Sequence, residues 1–418
     1  MIVAVFEKLF IDIDPLRTSR EFRYLFTARV VSLFGLGFLI VAVPVQVYQL
    51  TGSTAQVAAV SAVIGVTTFG ATFAGGVHAD RYDRRNVIAL ARGTAGVAFA
   101  LLAINAFLPE PQMWAIYVLA VVDGIAGGIS ATALMAVTPS LIPRDKLAAA
   151  GALMALTADL GSMIGPALGG VVIAAGGVGV AYALAAFTTA ITTFCITRLP
   201  SLPPTHVAEE SPLKSVVSGF RYAAHNRVVG QVLIVGFLAM LLSGWAVLIP
   251  EFADEVLGVG PSVVGLLYTA PAVGAVIGSL TSGWTGSIRR YGLVVYLLMA
   301  VSAAGLVGAG ATGVLAVVLL GLAAHGFGDS LADVVRYATV QRNTSDEYRG
   351  RIAAVWGAQV TAGTSVGAVA AGVVASLVPI SMALTVYGVA GVVIIAIMFV
   401  ATPTLRRFED AGDLEAVG

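Results

Sequence analysis

The chemically suggestive residues of this 418-residue chain are ionisable side chains set inside long apolar runs. Asp123 lies about ten residues into one such run and Asp159 about eleven into the next, which at about 1.5 Å per helical residue places both roughly 15 Å deep in a membrane. A carboxyl at that depth is costly and is a functional candidate by default. It suits a site that takes a proton from one side and gives it to the other; a hydrogen-bonded structural role is the competing reading for each. Asp329, Asp333 and Arg336 recur at spacings of four and three residues, one stripe of a helix, where an Asp333–Arg336 pair is expected. That stripe reads as a gate or structural ion pair ahead of a direct substrate contact. Arg29 sits about one and a half turns into the first run, where it either snorkels to the interface or reaches an anionic substrate.

Other chemistries lack their residues. A phosphate-cradling loop needs Gly directly before Lys, and the three lysines, Lys8, Lys146 and Lys214, follow Glu, Asp and Leu. The four histidines, His78, His206, His225 and His325, are scattered without a His-Glu-x-x-His pair, so no metal site is expected. Cys195 is the single cysteine, which leaves no intramolecular disulfide and no thiolate cluster. The chain is read as no enzyme, with no cofactor, its work driven by an ion or solute gradient. Its 23 Lys+Arg balance its 23 Asp+Glu, which removes any charge argument for a nucleic-acid partner.

The elements that must position these residues are membrane helices. With 58% hydrophobic and 11% charged residues, and a mean hydropathy of +0.94, a soluble globular protein is a poor fit. Near-continuous apolar runs fall at about 24–49, 54–76, 87–107, 113–137, 148–175, 179–198, 229–250, 262–285, 292–310, 314–336, 352–377 and 381–402. The expected fold is therefore an all-α membrane protein, twelve transmembrane helices in two pseudo-symmetric six-helix bundles. Along the chain this gives an N-terminal amphipathic arm over 1–23, a first bundle over 24–198, a cytoplasmic linker over 199–228, a second bundle over 229–402 and a cytoplasmic tail over 403–418. The arm mixes charges with Phe6, Leu9, Phe10 and Ile11 and has no small-residue cleavage site, so it reads as lying on the membrane surface. In the linker, Leu213, Val216, Val217, Phe220 and Ala224 predict an amphipathic helix over Pro212–Val228, against a plain solvated linker.

Sidedness follows from the basic residues. With the N-terminus inside, the outside loops are about 108–112, 176–178, 251–261, 311–313 and 378–380, and none contains Lys or Arg. All 23 bases then lie in cytoplasmic loops, termini, the linker or inner helix ends, and both termini are cytoplasmic.

Between the second and third runs, Gly75 to Asn86 crowds Asp80, Arg81, Asp83, Arg84 and Arg85 into one turn. Gly76 would let two helix ends approach, Asp80 would suit a helix N-terminus, and Arg81 and Arg84 would bridge a cytoplasmic gate. In the fifth run, Gly161, Gly165, Gly169 and Gly170 make a flat stripe for close helix contact and Pro166 supplies a bend. The two halves echo each other at an offset of roughly 200 residues, as a repeated six-helix unit would. Thr138 to Leu147, running into Gly161 and Gly165, matches Thr339 to Tyr348, running into Gly363 and Gly367. The counterpart of the charged turn, Gly283 to Arg290, lacks its Asp-Arg pair, so the gate charges are asymmetric.

The charged turn resembles the G-x-x-x-D-R-x-G-R-R loop of the major facilitator superfamily, matching at Gly76, Asp80, Arg81, Arg84 and Arg85 and departing at Asp83, where the family usually has Gly. The fifth-run stretch resembles the superfamily's G-x-x-x-G-P-x-x-G-G antiporter motif, which implies export, with simple packing as its rival. Further stretches resemble the enterobactin-type siderophore exporters of enteric bacteria: Val41 to Gln46, Leu90 to Thr94, Asn105 to Pro111, Ala115 to Tyr117, Asp123-Gly124, Pro212 to Ser215 and Gly350 to Ile352. The resemblance implies a secondary active exporter of the inner (cytoplasmic) membrane. It would move a catecholate siderophore outward against inward proton flow by alternating access, with siderophore, protons and membrane lipid as its partners, and as a monomer. Asp159, Asp329 and Asp333 depart from those exporters, and Gly127, four residues past Asp123, stands where many drug/proton antiporters carry Arg. A bulky, aromatic, oxygen-rich siderophore would want aromatic faces and hydrogen-bond donors, for which Phe34, Gln46, Trp356 and Gln359 are candidates. A broad-specificity multidrug efflux antiporter is the alternative; a channel has no use for a gate loop and repeated halves.

Overall fold

Eleven long apolar helical runs make up the computed structural model, which describes residues 13–135, 137–143, 146–204 and 212–408. One run, Leu147–Thr197, contains a single non-helical residue, Gly177, at φ 78° and ψ 174°. Only glycine enters that backbone region without strain, so the run is two membrane helices joined at Gly177 and the described residues hold the twelve that hydropathy predicts. The membrane helices are α1 (Arg20–Thr51), α2 (Thr54–Arg81), α3 (Arg84–Phe107), α4 (Met113–Met135), α5 (147–176), α6 (178–197), α7 (Arg227–Leu242), α8 (Pro261–Leu280), α9 (Tyr291–Gly310), α10 (Leu315–Arg342), α11 (Asp346–Leu377) and α12 (Ile380–Ala401).

Beyond Leu242, α7 tightens into a 3-10 turn, Ser243–Leu248, and then widens into a π turn, Phe252–Val256. Pro250 causes the change, since it has no N–H to give the Ala246 carbonyl. That carbonyl accepts the Ile249 N–H of the tightened turn and also the Tyr268 hydroxyl from α8, the latter at 2.8 Å.

The expected N-terminal arm lies partly outside the described residues; what is described is a short helix, Asp14–Thr18, with Asp14 paired to Lys146 at 2.9 Å. The linker helix is present as Pro212–His225 and ends short of the expected Val228. The cause is Asn226, whose side chain accepts the N–H groups of Val228 and Val229 at 3.2 Å and so begins α7. On the linker helix Val216 and Ala223 are buried while Val217 and Phe220 are exposed.

The chain divides into two compact units: residues 1–43 with 67–209, and residues 44–66 with 210–418. The hairpin formed by the end of α1 and the start of α2, Pro44–Val66, therefore packs with the second unit although hydropathy alone groups it with the first. Within that unit the Thr54 N–H and hydroxyl both donate to the Glu251 carboxylate.

Lipid gives helices no hydrophobic reason to associate, so close backbone approach has to hold them together. In the first unit a Cβ on Gly165 would lie 2.9 Å from the Gly37 Cα, and one on Gly161 would lie 2.6 Å from the Leu33 Cβ, so the glycine stripe of α5 seats against α1. In the second unit Gly363 and Gly367 meet Phe237 to Leu241 of α7 in the same way. The two halves thus repeat one contact, first to fifth helix.

Candidate functional site

Three helices of the first unit each turn one stripe toward a common cavity. α1 brings Arg29 and Leu36, α3 brings Arg92 and Phe99, and α4 brings Asp123 and Gly127, all at helical spacings. The cavity has a volume of about 650 Å³, within the usual range for a small-molecule site. Its polar lining is Thr68 and three charged residues, Arg29, Arg92 and Asp123. The Arg92 guanidinium is held in place by two hydroxyls, donating through Nε to Ser130 Oγ at 2.9 Å and through Nη1 to Ser32 Oγ at 3.0 Å. It attracts Asp123 and repels Arg29. Arg29 Nε is buried and has no hydrogen-bond partner among the described residues. Two guanidiniums against one carboxylate leave the cavity with an excess of positive charge and an unsatisfied donor.

Sequence reading put Asp123 at depth without a local partner. In the structure the charge that attracts it is Arg92, one helix away on α3. Arg92 lies within the Leu90 to Thr94 stretch, and an arginine inside an apolar run is itself a functional signal. Asp159 does not join this group; it is exposed on α5. Phe34 is half-buried and Gln46 is buried on α1, and neither is among the residues lining the cavity.

A second charged group lies in the second unit, on α10. Arg336 is completely buried and pairs with Asp333, as the spacing predicts. Its Nε donates to the Ala332 carbonyl at 3.3 Å, and its guanidinium lies 5.7 Å from the centre of the Trp356 ring. Gln359 is on the same side: a Cβ on Gly236 would strike its amide nitrogen and would lie 2.6 Å from Arg336 Nη1. With its amide turned to satisfy both ends, Gln359 donates to the Leu233 carbonyl at 2.9 Å and accepts from the Phe237 N–H at 3.3 Å. Trp356 and Gln359, expected as substrate contacts, both lie near Arg336, and Gln359 bonds the α7 backbone.

Residues 12–416 match the family model described as transmembrane secretion effector. The chain belongs to this family of major facilitator superfamily transporters. It is 40% identical over 403 residues to the enterobactin exporter EntS of Citrobacter koseri, a match that covers 95% of each chain. It is likewise 40% identical over 401 residues to EntS of Escherichia coli strain UTI89, again covering 95% of each. Among solved structures it is similar to the nucleoside transporter NupG, with a TM-score of 0.70 at 13% identity over 93% of this chain and 100% of that one. It is also similar to the POT family transporter PepTSo, with a TM-score of 0.71 at 14% identity over 93% and 98% of the two chains. Those two likenesses establish the fold. The chain is a multi-pass membrane transporter and not an enzyme.

The charged α2–α3 turn of this secretion effector is organised by the residue at which it departs from the superfamily pattern. Asp83 is the N-cap of α3, accepting the Arg85 N–H at 2.9 Å. It also accepts the Ser201 hydroxyl at 2.6 Å and the Leu202 N–H at 3.1 Å, which ties the turn to the chain leaving α6. Partial burial pushes the Asp83 carboxyl up, but the bonds from Ser201, Leu202 and Arg85, with the Arg85 charge, together hold it below the usual carboxylate range. Arg84 Nε donates to the Ala79 carbonyl at 3.4 Å and Arg85 Nη1 to the Leu199 carbonyl at 3.3 Å. Gly76 and Asp80 are half-buried and Arg81 is exposed, and no ion pair joins Asp80 or Arg81 to another described residue.

Proposed function

We propose that this chain is a secondary active exporter of a catecholate siderophore of the enterobactin class, working by proton-coupled antiport and alternating access in the cytoplasmic membrane with both termini inside. The observation that carries the substrate class is the cavity charge: Arg29 and Arg92 against Asp123 around about 650 Å³, with the Arg29 Nε donor unsatisfied. A guanidinium fork matches two adjacent oxygens, the arrangement a catechol presents, and Phe99 offers a ring face beside it. Similarity to EntS over nearly the whole chain supports the same class. The inward placement of every Lys and Arg outside the base-free loops supports the orientation. A broad multidrug pump would take apolar cations, which an excess of arginine repels.

Inverted membrane vesicles from cells expressing the chain are expected to accumulate iron-free enterobactin when their lumen is acidified, and to stop when the gradient is collapsed. Absence of gradient-dependent uptake overturns the reading. Displacement of enterobactin by unrelated apolar cations transfers it to multidrug efflux.

A further inference from the structure

The second unit holds an array of ionisable groups that the cavity does not use. His325, Asp329, Asp333 and Arg336 follow one another on α10 at steps of four, four and three residues, so they form a single stripe along the helix. His325, at one end, is buried and fixed: its Nδ1 lies 2.8 Å from Ser302 Oγ on α9, and its ring meets Trp245 edge-on at 5.7 Å. Asp333 pairs with Arg336 at the other end. Asp329 lies between them, receives no hydrogen bond from any described residue, and interacts by charge with both Asp333 and Arg336.

The charge count does not close. Two carboxylates face one guanidinium, and the neighbouring helices bring nothing to balance the second. α8 and α9 contain no Lys or Arg, and α7 has only its exposed first residue, Arg227. The tyrosines on these helices are committed elsewhere: Tyr268 to the Ala246 carbonyl, Tyr296 to Thr402, and Tyr291 to Arg342. On α11, Arg349 pairs with Asp346 and Arg351 lies 3.9 Å from Glu347, all at the helix start. The hairpin over 44–66 contains no charged residue. One negative charge is left in a membrane helix, where an unpaired charge is expensive and a bound cation removes the cost.

We infer that Asp329, together with Asp333 and Arg336, is the proton-binding site that couples transport to the pH gradient. The inference rests on the proton-coupled reading proposed above and assigns its proton to a group of the second unit rather than to Asp123 of the first. With a proton on an Asp329 carboxyl oxygen, Asp333 and Arg336 form a neutral pair. When that proton leaves, two carboxylates compete for one guanidinium, and the donor available to the second is Arg336 Nη1, which is buried without a hydrogen-bond partner. Proton loss therefore changes which oxygens Arg336 holds, and through Trp356 and Gly236 it changes what α11 and α7 pack against. A metal ion is a poor alternative occupant, because the arginine sits where a metal would need another oxygen.

The test uses the full-length protein in proteoliposomes with iron-free enterobactin as the probe. The ratio of gradient-driven accumulation to enterobactin exchange is expected to fall at least tenfold in Asp329→Asn and to recover in Asp329→Glu. An Asp329→Asn protein that keeps the wild-type ratio overturns the assignment. A substrate-free measurement separates this from the exporter reading: dye-reported proton uptake by the purified protein as the pH is lowered toward, but not into, the range where ordinary carboxyls protonate. Wild type is expected to take up about one proton more than Asp329→Asn, and equal uptake overturns the site whatever the transport result. Loss of that proton in the variant, with no enterobactin transport in wild type, upholds the site and overturns the exporter reading.

Discussion

Arg92 and Asp123 make opposite contributions to one cavity, so their substitutions should move binding in opposite directions. Arg92→Lys keeps the charge but loses the planar fork that reaches Ser130 and Ser32 together, leaving two hydroxyls without their donor. Enterobactin affinity is expected to weaken by about tenfold or more, the usual size of a lost charge-assisted hydrogen bond. Asp123→Asn removes the only carboxylate among the described residues lining the cavity and is expected to tighten binding. Fluorescence titration of the purified variants checks both, and a fall in affinity for Asp123→Asn would show that the carboxyl contacts the substrate directly. At this scale depth is legible from sequence and little else is. Asp123, Asp329 and Asp333 stand out because a charge in an apolar run is rare, and the Asp333–Arg336 pair is legible because both partners share a helix. The attraction between Asp123 and Arg92 is not, since helical periodicity tells which face a residue is on and not which other helix that face meets.

Helix packing and capping set the next scale. The α5 glycine stripe was legible as a contact surface, and α1 as its partner was not. Gly165 and Gly151 lie on the same helix in opposite situations: a Cβ at Gly165 would press on the α1 backbone at Gly37, while one at Gly151 meets nothing within 4 Å. Gly165→Ala is expected to cost about 1–3 kcal/mol as an overpacked contact. Gly151→Ala is expected to be neutral or stabilising by up to about 1 kcal/mol, because it removes backbone freedom from the unfolded chain. Thermal unfolding of the two variants in detergent tests this contrast, and equal midpoints would mean that α1 and α5 do not touch at Gly165. Asp83 carries a related prediction. Asp83→Ala loses the α3 cap and the ties to Ser201 and Leu202, at about 1 kcal/mol or more. Because the carboxyl is held below its ordinary range in the folded protein, its contribution is present above about pH 4 and fades as pH falls further. Melting curves against pH should show the wild-type advantage at neutral pH shrinking in acid.

For the whole molecule, hydropathy delivers twelve helices and the internal repeat delivers two six-helix halves, while the contact of first with fifth and seventh with eleventh helix is seen only in the structure. Neither reveals that Pro44–Val66 packs with the second unit, because apolar runs record burial without naming the neighbour. The link is specific. Thr54 is the first residue of α2, and both its N–H and its hydroxyl donate to Glu251, which supplies from a distant part of the chain the anion that a helix start favours. Small residues complete the seat, with Gly372 of α11 against Ala58, and Gly65 against Ser365. Glu251→Ala removes the cap and leaves two donors at a buried threonine unsatisfied, a loss of about 1–2 kcal/mol concentrated at the start of α2. Since local opening sets amide exchange, that loss corresponds to roughly 5–30-fold faster exchange at residues 54–58, with the α3 and α5 amides of the first unit unchanged. Hydrogen exchange read by mass spectrometry distinguishes this outcome from general destabilisation, in which both units accelerate together. Unchanged exchange at 54–58 would mean that the glycine contacts hold the hairpin without the carboxylate.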